Sequence, residues 1–211
     1  MEATSNLLLA WHYPEEKSPE SELASIVRHL GKENGIRGLS KASCNFLTWV
    51  IASHGTAEAV EIGTGSGVSA LTMLQANPHL HLTSIDSNPI MVERTRALFK
   101  HANIKSARYR LIAEESTTFL PRLASDKYDL VLIDGAPEAI VHDVEESLRI
   151  LRPGGIMIIA RALLGGIVAD PARREDNVVL MRQLIDHLLE RNDLVTSLLP
   201  TGDGMLLTYK K

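Results

Sequence analysis

Apolar positions along this chain follow two alternating patterns. Leu82-Thr83-Ser84-Ile85, Tyr128-Asp129-Leu130-Val131-Leu132-Ile133 and Ile156-Met157-Ile158-Ile159 are short runs that read as strands. The last is apolar throughout, as expected of a strand buried on both faces. Between the runs, apolar residues recur at helical spacing. Leu23, Ile26, Val27 and Leu30 build one face behind a helix start at Ser18-Pro19, and Ser40 opens a second helix that His54-Gly55 closes. Asn88-Pro89 starts another, and Val141, Val144, Leu148 and Leu151 give the stripe of a fourth. Arg152-Pro153-Gly154-Gly155 breaks the pattern before Ile156, and Thr201-Gly202-Asp203-Gly204 separates two final apolar runs as a hairpin turn. Strand and helix alternating in this way predict an α/β fold with a mostly parallel sheet. The two leading helices precede the first strand, so they lie outside the repeating unit and are expected to cover a ligand mouth or to pair with another subunit.

The most informative stretch is Val60-Glu61-Ile62-Gly63-Thr64-Gly65-Ser66-Gly67-Val68-Ser69. An apolar run followed by alternating glycines predicts a strand turning tightly into a helix, with backbone at φ > 0 and a ligand closer than a Cβ would permit. Dinucleotide folds place their third small residue where this chain has Val68, so the spacing favours S-adenosylmethionine over NAD. Asp86 closes the next apolar run at about the twenty-residue offset where α/β folds hold a ribose hydroxyl pair on a carboxylate.

With these residues in view, the chain resembles the catechol O-methyltransferase-like family of S-adenosylmethionine-dependent enzymes, from about Gly38 to the C-terminus. The likeness rests on Val60 to Thr72, Thr83-Ser84-Ile85-Asp86, Tyr128 to Asp134, Leu151-Arg152-Pro153-Gly154-Gly155, and Leu164-Gly165-Gly166 with Asp170-Pro171 behind it. It implies a Rossmann-like class I methyltransferase fold: a mostly parallel seven-stranded sheet, an antiparallel last strand and extra N-terminal helices. Residues 1–55 would be a helical extension within the same domain, serving as lid or dimer contact, and 56–211 the cofactor-binding core. By the same resemblance Glu61, Gly63, Ser69, Asp86 and Asp134 line the cofactor site and Ser116 faces the adenine. Thr64, Gly65, Gly67, Ser87, Glu115, Gly135 and Ala136 complete the expected set.

The departures from the family pattern bear on chemistry. Metal-using members take one ligand from the acidic end of the fourth strand and two from an Asp-Asn pair after the fifth. Here Asp134 is present, but the pair reads Ala160-Arg161. A hard divalent cation needs about six oxygen ligands, and a guanidinium beside the vacancy repels it, so no divalent metal is expected. The lysine that often follows the fourth-strand acid is also missing, since Asp134-Gly135-Ala136 leads into Pro137. Asp134 and Arg161 are expected at the carboxyl ends of neighbouring strands, as a catalytic couple that replaces the cation or as an internal ion pair. His142, roughly two helical turns beyond Asp134, is the nearest imidazole and a candidate general base. Methyl transfer asks mainly for alignment and loss of one proton, so an acidic acceptor such as an activated phenol or a carboxylate can react without a metal.

Bulk properties narrow the setting. The chain has 211 residues, enough for one substantial core, and a net charge of −4 with no basic run interleaved with aromatics, which argues against nucleic-acid partners. The single cysteine, Cys44, excludes an internal disulfide framework and suits the cytoplasm. Leu7-Leu8-Leu9-Ala10-Trp11 lacks the basic flank of a signal peptide and the length of a membrane span. His79 and His81 would share one strand face without a third metal ligand, and the polar stretch from Ala169 to Asn177 reads as a solvated loop leading into a helix. The expected activity is methyl transfer from S-adenosylmethionine, released as S-adenosylhomocysteine, to an oxygen of a small-molecule acceptor by a cytoplasmic homodimer. The alternatives are a cofactor-binding protein without catalysis, an NAD-dependent oxidoreductase and, last, a nucleic-acid methyltransferase.

Overall fold

A computed structural model describes residues 2–211, without the side chains of residues 2–5, 7 and 8. Its strands are β1 (Glu58–Ile62), β2 (His81–Ile85), β3 (Tyr109–Ile112), β4 (Tyr128–Ile133), β5 (Leu151–Ala160), β6 (Leu194–Leu199) and β7 (Met205–Lys210). They form one sheet in the order β3-β2-β1-β4-β5-β7-β6, in which β7 runs antiparallel to both of its neighbours. The helices are α1 (Glu2–Lys17), α2 (Glu22–Glu33), α3 (Lys41–His54), α4 (Val68–Ala76), α5 (Pro89–His101), α6 (Ser116–Phe119), α7 (Ile140–Ile150) and α8 (Asp176–Glu190).

The unbroken apolar character of the central strands follows from helices on both faces of the sheet. Successive side chains of a strand point to opposite sides. Ala59, Leu130, Leu132 and Ile158 therefore join one core with Leu47 and Ile51 of α3, Leu71 of α4 and Phe99 of α5. Val60, Val131, Ile133, Met157 and Ile159 join the other with Val144 of α7 and Ile185 of α8. In register, Ile62 of β1 sits beside both Ile85 of β2 and Ile133 of β4. The residues that follow those three strands, Gly63, Asp86 and Asp134, thus emerge together at one edge. Chain order reverses between β1 and β4, the switch point where open α/β sheets leave a crevice for ligands.

Several local expectations are corrected. α2 begins at Glu22 and not at Pro19, because Ser21 is the residue whose hydroxyl caps Ala24 N at 3.2 Å, while Ser18 N still bonds back to Pro14 O of α1. α1 precedes the two helices that the periodicity marks out, and Pro14 lies inside it. Of the apolar face read on α2, Val27 is buried, whereas Ile26 and Leu30 are 48% and 52% exposed. Arg152-Pro153-Gly154-Gly155 does not precede β5 but bulges from it, between the pairs Tyr128↔Leu151 and Leu130↔Ile156. His79 and His81 share no strand face: Asn77 Oδ1 accepts from His79 N at 2.9 Å and holds that residue in a turn, so β2 starts only at His81. The hairpin between β6 and β7 stands where Thr201 to Gly204 placed it, closed by Gly204 N to Thr201 O at 3.0 Å.

Candidate active site

The site is built on the loop from β1 to α4. Gly63 has φ +92°, and any Cβ there would run into the backbone carbonyl of Asp134 on the adjoining strand end. Gly65, at φ +50°, differs: its Cβ would meet only Ile36 Cγ2 at 3.6 Å. Protein packing therefore does not explain Gly65, and the space above it belongs to a cavity of about 350 Å3. Gly67 faces away from that cavity, toward Thr95 of α5.

Glu61 is fully buried one layer beneath the cavity and is not part of its wall. Ser69 Oγ donates to Glu61 Oε1 and Ser84 Oγ to Oε2, each at 2.5 Å, with Thr64 Oγ1 2.6 Å from Ser84 Oγ. Burial pushes the Glu61 carboxyl up to about 8, against the opposing pull of the two serine hydroxyls. Glu61 thus positions Ser69, which does line the cavity. At the end of β2, Asp86 Oδ2 accepts from Gly65 N at 2.9 Å and Oδ1 from Asn88 N at 2.8 Å. Its carboxylate is held beside the glycine loop with lone pairs still free on both oxygens.

Thr64, Ser87, Glu115, Ser116, Gly135 and Ala136 also line this cavity. Beneath Ser116, Asp143 of α7 is buried, and burial raises its carboxyl above the usual carboxylate range. His142 is placed differently from its expected role. A short turn over Pro137–Ala139 intervenes before α7, so Ala139 reaches the cavity wall, whereas His142 stands outside it with Nδ1 3.7 Å from Asp143 Oδ1.

Asp134 and Arg161 meet at the mouth. Arg161 follows β5 at φ +57°, a conformation uncommon for a residue with a side chain. Its guanidinium reaches back across the ends of β5 and β4. Nη2 donates to Asp134 O at 3.1 Å and lies against Asp134 Oδ1 as an ion pair without hydrogen-bond alignment, while Nη1 donates to Arg37 O at 2.9 Å. Burial pushes the Asp134 carboxyl up to about 7, and the guanidinium only partly counters it. Among the described residues no three His, Cys, Asp or Glu side chains converge as metal ligands.

Ile36, Arg37 and Gly38, on the link between α2 and α3, form a wall of this cavity that sequence reasoning did not find. The only local hint is a pair of glycines, Gly35 and Gly38, bracketing an apolar residue in an otherwise polar linker.

Residues 17–211 match the model of the O-methyltransferase family. The chain belongs to that family. A Mycobacterium avium protein carrying the O-methyltransferase name is 35% identical over 199 residues, covering 94% of this chain and 90% of its own. A Mycobacterium marinum relative of the same name is 33% identical over 99% of this chain and 93% of its own. Among solved structures, a Corynebacterium glutamicum protein superposes with a TM-score of 0.88 at 24% identity, covering 97% of each chain. The Streptomyces achromogenes O-methyltransferase involved in tomaymycin synthesis, in complex with S-adenosylmethionine, gives 0.82 at 21% identity over 92% of each chain. These two share the fold. In this O-methyltransferase, then, the glycine loop, Asp86 and the Asp134–Arg161 pair surround one crevice at the carboxyl edge of the sheet.

Proposed function

We propose that this enzyme moves a methyl group from S-adenosylmethionine to an oxygen of a small molecule without a divalent ion, with Asp134 as the proton acceptor. The observation that carries this reading is the Asp134–Arg161 pair in the wall of the same cavity that Gly65 and Asp86 line. The residues present fit the cofactor: the space over Gly65 admits a ligand against the backbone, and Asp86 is preset to accept a hydroxyl pair. They do not fit a divalent metal, since Arg161 occupies the Asp134 carboxylate with a permanent positive charge.

When bound, S-adenosylmethionine supplies an electrophilic methyl group on a sulfonium. The protein's own residues do the rest. Asp86 and the loop amides orient the cofactor, and Ser69 and Ser116 hold it from either side. Asp134 takes the proton from the acceptor hydroxyl, which is general-base work suited to a carboxyl near 7. Arg161 stabilises the negative charge that develops on the acceptor oxygen. The cavity-lining residues among those from Gly63 to Ala136 are assigned on this basis; Gly67, which faces α5, and His142 are left outside the site. Buried side chains of α2 and α3 in the core support reading residues 1–55 as part of the same domain. No helix among the described residues is long and apolar enough to cross a membrane, and the lone Cys44 is buried and free. With the net charge of −4, these support a cytoplasmic enzyme with no nucleic-acid partner.

Calorimetry should detect binding of S-adenosylhomocysteine and none of NAD. Methyl transfer, followed by product release over an acceptor panel, should persist in chelator. Its kcat/KM should rise with pH through about 7 as Asp134 ionises, and Asp134→Asn should lose that limb and about 100-fold or more in rate. Failure to bind the product, or activity that chelator abolishes, would overturn the reading.

A further inference from the structure

A second cavity of about 380 Å3 adjoins the first, and the two share Arg37, Gly38 and Arg161. Its size is at the lower end of small-ligand pockets. Its chemistry is unlike that of a pocket for a neutral aromatic. Arg28, Lys32, Arg37, Lys41 and Arg161 line it, against two acids, Glu15 and Asp203.

Some of this charge is already used. Arg28 pairs with Glu20 at 2.7 Å and donates to Leu39 O, and Arg161 pairs with Asp134. Asp203 Oδ1 accepts from Gly165 N at 2.5 Å, and Glu15 Oε2 caps Ala42 N at 3.1 Å in the first turn of α3. Lys32, Arg37 and Lys41 make no ion pair among the described residues. Lys32 and Lys41 line the second cavity but not the first, away from the wall the two share. The N-terminus of α3 opens on the same space through Ser40 and Lys41 and adds its positive end.

We propose that the methyl acceptor is an anionic hydroxy compound, about the size of one substituted ring. Its reacting hydroxyl lies at the junction by Arg161, and its carboxylate or phosphate lies between Lys32 and Lys41. This rests on the cofactor assignment above only for which end of the molecule reacts; the charge of the second cavity stands by itself.

The test uses calorimetry on the full chain, with and without saturating S-adenosylhomocysteine. The probes are 4-hydroxybenzoate, 4-hydroxyphenyl phosphate and the neutral 4-hydroxybenzyl alcohol. At least one anion should bind about tenfold or more tightly than the alcohol, as expected for a charge-assisted contact, and the better anion identifies the group. Lys32→Gln with Lys41→Gln should erase that preference and leave S-adenosylhomocysteine affinity within about twofold; Lys32 is exposed and Lys41 half-buried in the first turn of α3, so a thermal melt checks folding. Equal binding of the alcohol and both anions, or a preference that survives in the double variant, would overturn the proposal. Absence of S-adenosylhomocysteine binding would instead strike the cofactor assignment, and the probes alone would still report on the second cavity.

Discussion

At the scale of single residues, burial decides protonation. Glu61 titrates near 4.5 as an ordinary carboxylate and is pushed up to about 8 in the fold. The folded form holds the proton more tightly, so its contribution to stability is complete below about pH 4.5 and is lost as pH rises toward 8. Glu61→Gln keeps the shape and removes the charge, and a serine hydroxyl can accept from the new amide. The variant should match the parent near pH 5 and exceed it at pH 8.5, on the order of 1–3 kcal/mol, in thermal or denaturant unfolding. Asp134, raised in the same direction, is present in both proteins and drops out of the comparison. A difference that does not grow with pH would contradict the buried, protonated state of Glu61. The same rule makes Asp134 a base of useful strength: a carboxylate at its ordinary value is too weak to draw a proton from a phenol efficiently.

Among elements, the glycines of the β1–α4 loop do different work despite their even spacing. A Cβ at position 67 would approach Thr95 Oγ1 of α5 at 2.7 Å, so Gly67 serves helix packing. Gly65 faces the cavity. Gly67→Ala should therefore destabilise the fold by about 1–3 kcal/mol through overpacking and the positive φ. Gly65→Ala carries a positive-φ penalty of the same kind but no clash, and should weaken binding of S-adenosylhomocysteine by about tenfold or more while lowering the melting temperature less. Melting curves and calorimetry on the two variants separate the roles; equal effects on both readouts would show the loop acting as one rigid unit. α3 likewise has two duties: Leu47, Val50 and Ile51 face the core, and its first turn faces the second cavity.

For the whole molecule, the open question is what covers the N-terminal helices. Trp49 of α3 is 64% exposed and stacks on Phe46 at 5.9 Å, and Trp11 of α1 is 53% exposed. Leu9 and Tyr13 of α1 are also exposed; the side chains of Leu7 and Leu8, expected in the same patch, lie outside the described residues. A homodimer that buries these side chains is the reading to test. Light scattering should give about twice the 23.2 kDa of one chain, and Trp49→Glu should shift the population toward one copy without unfolding it. A parent protein that runs as a single copy at micromolar concentration would remove the dimer reading.

What the sequence determined by itself was whatever a short stretch of backbone dictates. Strands buried on two faces must be apolar without interruption, a strand that turns at once into a helix requires φ > 0 at Gly63, and Asp86 and Asp134 fall at strand ends because the apolar runs stop there. Those demands are local, and they sufficed for the α/β fold, the loop and the two carboxylates. Other features depended on segments meeting across the fold. Arg161 donates to the carbonyl of Arg37, a residue 124 positions earlier, and Gly38 lies close against Val68; contacts of this long range place the wall of Ile36 to Gly38 and the second cavity beside it. The turn over Pro137–Ala139 set the direction of His142, and contact with α5 separated Gly67 from Gly65. Periodicity records which face of an element is buried, but not which neighbour buries it, because that choice is made by packing energy summed over distant parts of the chain.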